Sequence, residues 1–171
     1  MHPHDLAGYV IAQFLGAITA AVGLRLAWGH TAGVLHLGAT QPGHGFTPIG
    51  AVGLEMLMTA ALILMIFFLT SSTRTARWTP LGNWLLVATL VWQGAPYTGT
   101  SLNPSRSLAP ALLAPQLQHL WVYIAGPLAG AGLATAIFAT FRSTTTLTAK
   151  LFHDPRYPST LGSALPTRIS A

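Results

Sequence analysis

The chain has 171 residues, of which 51% are hydrophobic and only 6% charged, whereas a soluble domain carries about 25% charged residues. This argues against a soluble fold and for an integral membrane protein. The formal charge of +5 does not indicate nucleic-acid binding, because the eight Lys and Arg residues are scattered and most of them flank apolar stretches. The chain has no cysteine, and therefore no disulfide framework or thiolate metal site.

Met1-His2-Pro3-His4-Asp5 lacks the basic region of a secretory leader and reads as a short cytoplasmic N-terminus, residues 1–5. The first expected span covers residues 6–28, and only Gln13 and Arg25 interrupt it. Arg25 lies near its end, where it can snorkel. At 1.5 Å per residue the span reaches about 34 Å, enough for a hydrocarbon core of about 30 Å. Ala12, Gly16 and Ala20 recur every four residues, a stripe that lets another helix approach closely. Residues 29–48 are polar and rich in Gly and Pro, and read as a connecting loop. His30, His36 and His44 fall in it without metal-site spacing, so solvated histidines are expected, with no metal and no cofactor.

The second span, residues 49–69, contains Glu55, the only acidic residue in any span. A carboxylate at that depth is a functional hypothesis by default. It could relay protons or ions, or it could accept hydrogen bonds from irregular backbone inside the membrane. The second reading is favoured, because a relay needs partners and the other spans hold no carboxylate. A polar connector with Arg74 and Arg77 leads to a short third span, residues 81–96, where Pro96 with Gly94 and Gly99 argues against simple continuation.

The stretch from Gly99 to Leu113 is too short to cross a bilayer and reads as re-entrant, with a half-helix over about residues 104–114. Asn103 is a preferred N-cap, and Pro104 suits the first helical position. Arg106 falls in the first turn, where a cation opposes the helix dipole by about 0.3–1 kcal/mol. Something other than helix stability accounts for it. The fourth span covers residues 119–141, with Gly126, Gly130 and Ala134 again every four residues and Pro127 near its start. Residues 142–171 are polar and read as a disordered tail. Arg74, Arg77, Arg142, Lys150, Arg156 and Arg168 share one side of such a four-span topology, and only Arg25 and Arg106 belong to the other. The positive-inside rule makes the first side cytoplasmic, with both termini there.

Thr100-Ser101-Leu102-Asn103-Pro104-Ser105-Arg106-Ser107 resembles the second signature loop of the aquaporin (major intrinsic protein) family, whose usual form is Asn-Pro-Ala-Arg. Ser105 stands where Ala is usual. The resemblance implies an all-α membrane protein, an aquaporin-like bundle of four transmembrane helices plus one re-entrant half-helix. It makes Asn103, Pro104 and Ser105 the pore signature. It places Arg106, Thr100 and Val91, twelve residues before Asn103, at the selectivity constriction. Water-specific members commonly carry His where Val91 stands. The resemblance also makes Glu55 a brace for the loop, while the four-residue stripes themselves give Gly16, Gly126 and Gly130 helix-packing roles. It covers residues 6–141, the last four of six family spans. The first two spans and the first half-helix have no counterpart, so an N-terminally truncated chain is expected. Ile11, Ala12, Leu15 and Ala21 align without gaps with Ile124, Ala125, Leu128 and Ala134, in keeping with the family's inverted repeat.

The function so implied is passive transport of water or small neutral solutes, with ions and protons excluded when the full pore is present. An N-cap Asn103 uses its side-chain oxygen on the helix and leaves its amide N–H groups for the lumen. Ser107, where glycerol facilitators typically carry Asp, leans toward water, while Val91 suggests a less polar constriction. The alternative is a non-conducting half-channel acting through association with other membrane subunits. An enzyme is not expected, since Asp5 and Asp154 lie outside the spans and leave Glu55 alone. Expected partners are the lipid bilayer, the solute, and further copies (a tetramer by the resemblance) or a separate first half. A bacterial-type inner or plasma membrane is the expected location.

Overall fold

A computed structural model describes residues 3–141. The expected tail at 142–171 lies outside them. All elements among the described residues are helical: α1 (Pro3–Val34), a 3-10 turn (His36–Gly38), α2 (Pro48–Leu69), α3 (Thr73–Ala76), α4 (Thr79–Thr98), α5 (Pro104–Leu113) and α6 (Val122–Ala139).

The first span runs past its expected end. Gly29 breaks the helix with φ 46° and ψ −118°, and helical backbone resumes to Val34. Gly lacks the Cβ that penalises positive φ, so the chain bends there without ending. His30 therefore sits on α1 rather than in a loop. At α2, Thr47 is the N-cap, its hydroxyl accepting from Gly50 N at 3.1 Å, and Pro48 opens the helix. The connector after α2 is partly helical, since Ser72 caps the single turn of α3.

The third span also differs from expectation, because Pro96 lies inside α4 and does not end it. A proline this close to a C-terminus removes one N–H and leaves the rest of the last turn intact. The stop is Gly99, left-handed at φ 75°, whose N–H returns to Ala95 O at 2.9 Å. α6 is shorter than the expected 119–141 at both ends. α5 has 10 residues, so it is about 15 Å long, half a bilayer core.

Among the described residues, three helices are long and apolar enough to cross a membrane: Leu6–Val34 within α1, α2, and α6. α4, with 20 residues, spans about 30 Å but carries Asn83 and Gln93 and is less apolar. Large apolar side chains point outward, among them Leu26 at 81%, Trp92 at 77% and Ile49 at 72% exposure. Such a surface suits lipid rather than water.

α2 packs chiefly against α6 and also against α4, while α1 packs against α5 and the 3-10 turn. Gly126 and Gly130 face α2 directly. A Cβ at Gly126 would lie 2.7 Å from Glu55 Cβ, and one at Gly130 would lie 2.4 Å from the Met56 carbonyl oxygen. The C-terminal ends of α2 and α6 lock through Phe67 and Phe138, ring centroids 4.9 Å apart, and Phe68 edge-on to Phe141 at 5.3 Å. At Gly16, by contrast, an added Cβ would meet nothing within 4 Å among the described residues, so its packing role is not one within this chain's described helices.

Candidate functional site

Glu55, fully buried on α2, organises the loop between α4 and α5. Its Oε1 accepts from the Thr98 hydroxyl at 2.8 Å and from Ser101 N at 2.8 Å, and its Oε2 accepts from Leu102 N at 2.9 Å. All three partners are donors, and each finds an acceptor oxygen on the Glu55 side chain. The loop needs these acceptors because its backbone is irregular, with Thr100 at φ 47° and Leu102 at φ 58°. Thr98 extends the network: its hydroxyl accepts from Thr100 N at 3.1 Å, and its carbonyl accepts from the Tyr123 hydroxyl at 2.8 Å. Tyr123→Phe is expected to lower stability by about 1 kcal/mol, the net worth of one buried hydrogen bond. Unfolding in mixed micelles measures this.

A second buried network ties the loop after α1 to α5. Ser107 Oγ lies 2.6 Å from both Thr40 Oγ1 and Ser101 Oγ, and the Ser101 hydroxyl donates to Asn103 O at 3.0 Å. At the far end of α5, Arg25 donates to Leu113 O at 3.4 Å, and Gln116 hydrogen-bonds Gln41 and His36.

Between these networks Asn103 caps α5. Its Oδ1 accepts from Ser105 N at 3.0 Å and from the Ser105 hydroxyl at 2.8 Å. Its Nδ2 has no hydrogen-bond partner among the described residues. Arg106 donates to the Gly38 carbonyl at 2.7 Å. That carbonyl is held in a turn where His36 and Leu37 both have positive φ, a strained conformation of the kind found at functional sites. Asn103 and Arg106 open onto a groove walled on the α1 side by Ala17, Ala20 and Ala21. Gln13 and Leu24 complete that wall, so the polar groups of the site face mostly apolar residues and one amide.

The structure brings Asn103, Pro104, Ser105 and Arg106 together at the start of α5 and links Glu55 to the loop before them. It does not bring the whole expected constriction into one groove. Thr100 is buried, and its hydroxyl donates to Leu90 O at 3.4 Å. Val91, next along α4, is 42% exposed. Neither residue lines the Asn103–Arg106 groove. Sequence reasoning missed Thr98, Ser101, Thr40 and Tyr123, and read Ser107 only as a pointer to the solute. The density of hydroxyl residues around the signature loop was the available signal, because buried backbone at that depth needs polar partners.

The chain matches the major intrinsic protein family over residues 2–138. It is 36% identical over 132 residues to "Probable aquaporin TIP3-2" of Oryza sativa subsp. japonica, covering 76% of this chain and 48% of that protein. It is 38% identical over 143 residues to "Aquaporin-5" of Botryotinia fuckeliana, covering 82% and 36%. Identity is also 38% over 137 residues to "Glycerol uptake facilitator protein-like 6" of Lactiplantibacillus plantarum, covering 76% and 62%. The chain spans about half the length, or less, of the first two of these relatives. A match over most of the chain, on the helices and signature loop described above, establishes that it belongs to the major intrinsic protein family.

Proposed function

We propose that this chain forms part of a membrane channel that passes water or small neutral solutes and excludes ions. The observation that carries the reading is the unpartnered Asn103 amide at the N-terminus of a half-length helix, beside Arg106, on an open groove. A solute oxygen can accept from that amide, so a water there points its hydrogens away. The α5 N-terminus adds positive potential and Arg106 a full charge, which repels cations and opposes a proton wire. Glu55 acts as a brace for the loop, in support of which all its partners are donors from that loop or from the end of α4.

Val91, Thr100 and Arg106 form the constriction in the assembled channel. The support is the family spacing and the Thr100 link to α4 one residue before Val91. Water is the favoured solute on the strength of Ser107. Both termini lie on the cytoplasmic side, and the assembled protein is an oligomer, a tetramer by the resemblance. The membrane is a bacterial-type inner or plasma membrane.

Enclosing the groove requires a further wall. Liposomes containing only this chain are therefore expected to shrink no faster under an osmotic step than empty ones, as read by stopped-flow light scattering. Reconstitution with the first half of a relative is expected to accelerate shrinkage, and Asn103→Asp to abolish the gain. Fast shrinkage with the chain alone, removed by Asn103→Asp, would refute the need for a further wall. No gain with any first half would leave the association-only alternative in place of the channel. The open surface of α1 at Gly16 is the feature that favours that alternative.

A further inference from the structure

Ser105 is the one member of the signature that departs from the family's usual residue, and it is only 4% exposed. It lines the Asn103–Arg106 groove with little surface of its own. Its hydroxyl also behaves unlike three mid-helix threonine hydroxyls of this chain. Thr19, Thr89 and Thr135 each donate back to the carbonyl four residues earlier, at 2.8–2.9 Å. Ser105 occupies the second position of α5, where no preceding helical turn offers such a carbonyl. The acceptor within reach is the cap itself, and the Ser105 hydroxyl donates to Asn103 Oδ1 at 2.8 Å.

The Asn103 oxygen therefore receives two donors from one residue, the Ser105 N–H and the Ser105 O–H, which fill its two lone-pair sites. Turning the carboxamide over would set Nδ2 donors against both of them. An alanine here would leave only the backbone donor and a freer side chain.

We propose that Ser105 is a positioning residue whose hydroxyl locks the Asn103 carboxamide with its oxygen toward α5 and its N–H groups toward the groove. This deepens the channel reading, but its test reads the carboxamide itself and does not depend on conduction. A failed lock and a failed channel are thus separate results.

The test is solid-state NMR of the full chain in lipid bilayers, with asparagine labelled in the side chain. The chain has two asparagines, Asn83 and Asn103, so two carboxamides appear and Asn83→Ala assigns them. In the unmodified chain the Asn103 carboxamide carbon is expected downfield of Asn83 and more ordered, as a doubly bonded oxygen requires. Ser105→Ala should shift it upfield, lower its order parameter, and speed its reorientation about tenfold, the factor for one lost hydrogen bond. Asn83 should not move. Ser105→Thr and Ser105→Val have the same shape and differ in the hydroxyl, so Thr should retain the ordered signal and Val should lose it. An Asn103 signal unchanged in Ser105→Ala, or Thr indistinguishable from Val, would overturn the proposal. If Thr and Val fail to fold, the Ser-to-Ala comparison decides it alone.

Discussion

Glu55→Ala is expected to leave the chain unable to hold its signature loop. Three buried or part-buried donors, the Thr98 hydroxyl, Ser101 N and Leu102 N, lose their acceptor together. Each orphaned donor costs about 1–3 kcal/mol, and the sum is a large fraction of the 5–15 kcal/mol that holds a typical fold together. Water cannot easily replace the carboxylate, since Glu55 is fully buried. Glu55→Gln is expected to fall between, because its oxygen can still serve one side while its amide N–H₂ faces a donor that needed an acceptor. The measurement is the fraction folded in mixed micelles of rising denaturing detergent, followed by far-UV circular dichroism and protease resistance. The expected order is wild type, then Gln, then Ala. A Glu55→Gln protein as stable as wild type, changed only by ion leakage in an assembled channel, would favour the relay over the brace.

Gly130→Val is expected to separate the two central helices. Even the first added carbon would sit 2.4 Å from the Met56 carbonyl oxygen and 2.9 Å from Thr59 Cβ. The first is backbone and cannot rotate aside, so α6 must move away from α2, and the packing at Gly126 opens with it. Overpacking of this kind costs about 1–3 kcal/mol, and two further methyl groups place Gly130→Val at or above the upper end. Gly16→Ala is the contrast: its added carbon meets nothing, so the isolated chain should lose no stability and gain about 0.5–1 kcal/mol from helix propensity. Equilibrium unfolding of both variants reads the difference. Equal damage from Gly16→Ala would show that the α1 stripe is packed against another subunit in the protein being measured.

These two expectations also mark where sequence reasoning reached and where it stopped. Gly126, Gly130 and Gly16 carry the same four-residue spacing, and nothing in that spacing says which stripe faces a neighbour within the chain. Only the packing of α2 on α6 separates them. Pro96 likewise reads as a stop in isolation, yet the stop is Gly99, because a proline near a helix C-terminus costs a single bond while a left-handed glycine closes the end. Gly29 shows the reverse: a residue that reads as the start of a loop bends a helix that continues.

The sequence by itself determined the membrane character, the helical class, the half-helix with Asn103 as its cap, and the oddity of a lone carboxylate at Glu55. Each of these depends on composition or on residues within a turn of one another, where spacing and capping chemistry act. The tertiary structure alone decided what that carboxylate holds. Glu55 meets Thr98 at a separation of 43 residues and Leu102 at 47, and Thr40 meets Ser107 at 67. It also decided that Arg106 rests on the Gly38 carbonyl, 68 residues away. Contacts so distant in the chain leave no periodic trace, because they form only where packed helices bring distant polar groups together; the buried Glu55, Thr98, Thr40 and Ser107 must find protein partners there, while Arg106 stays exposed on the groove.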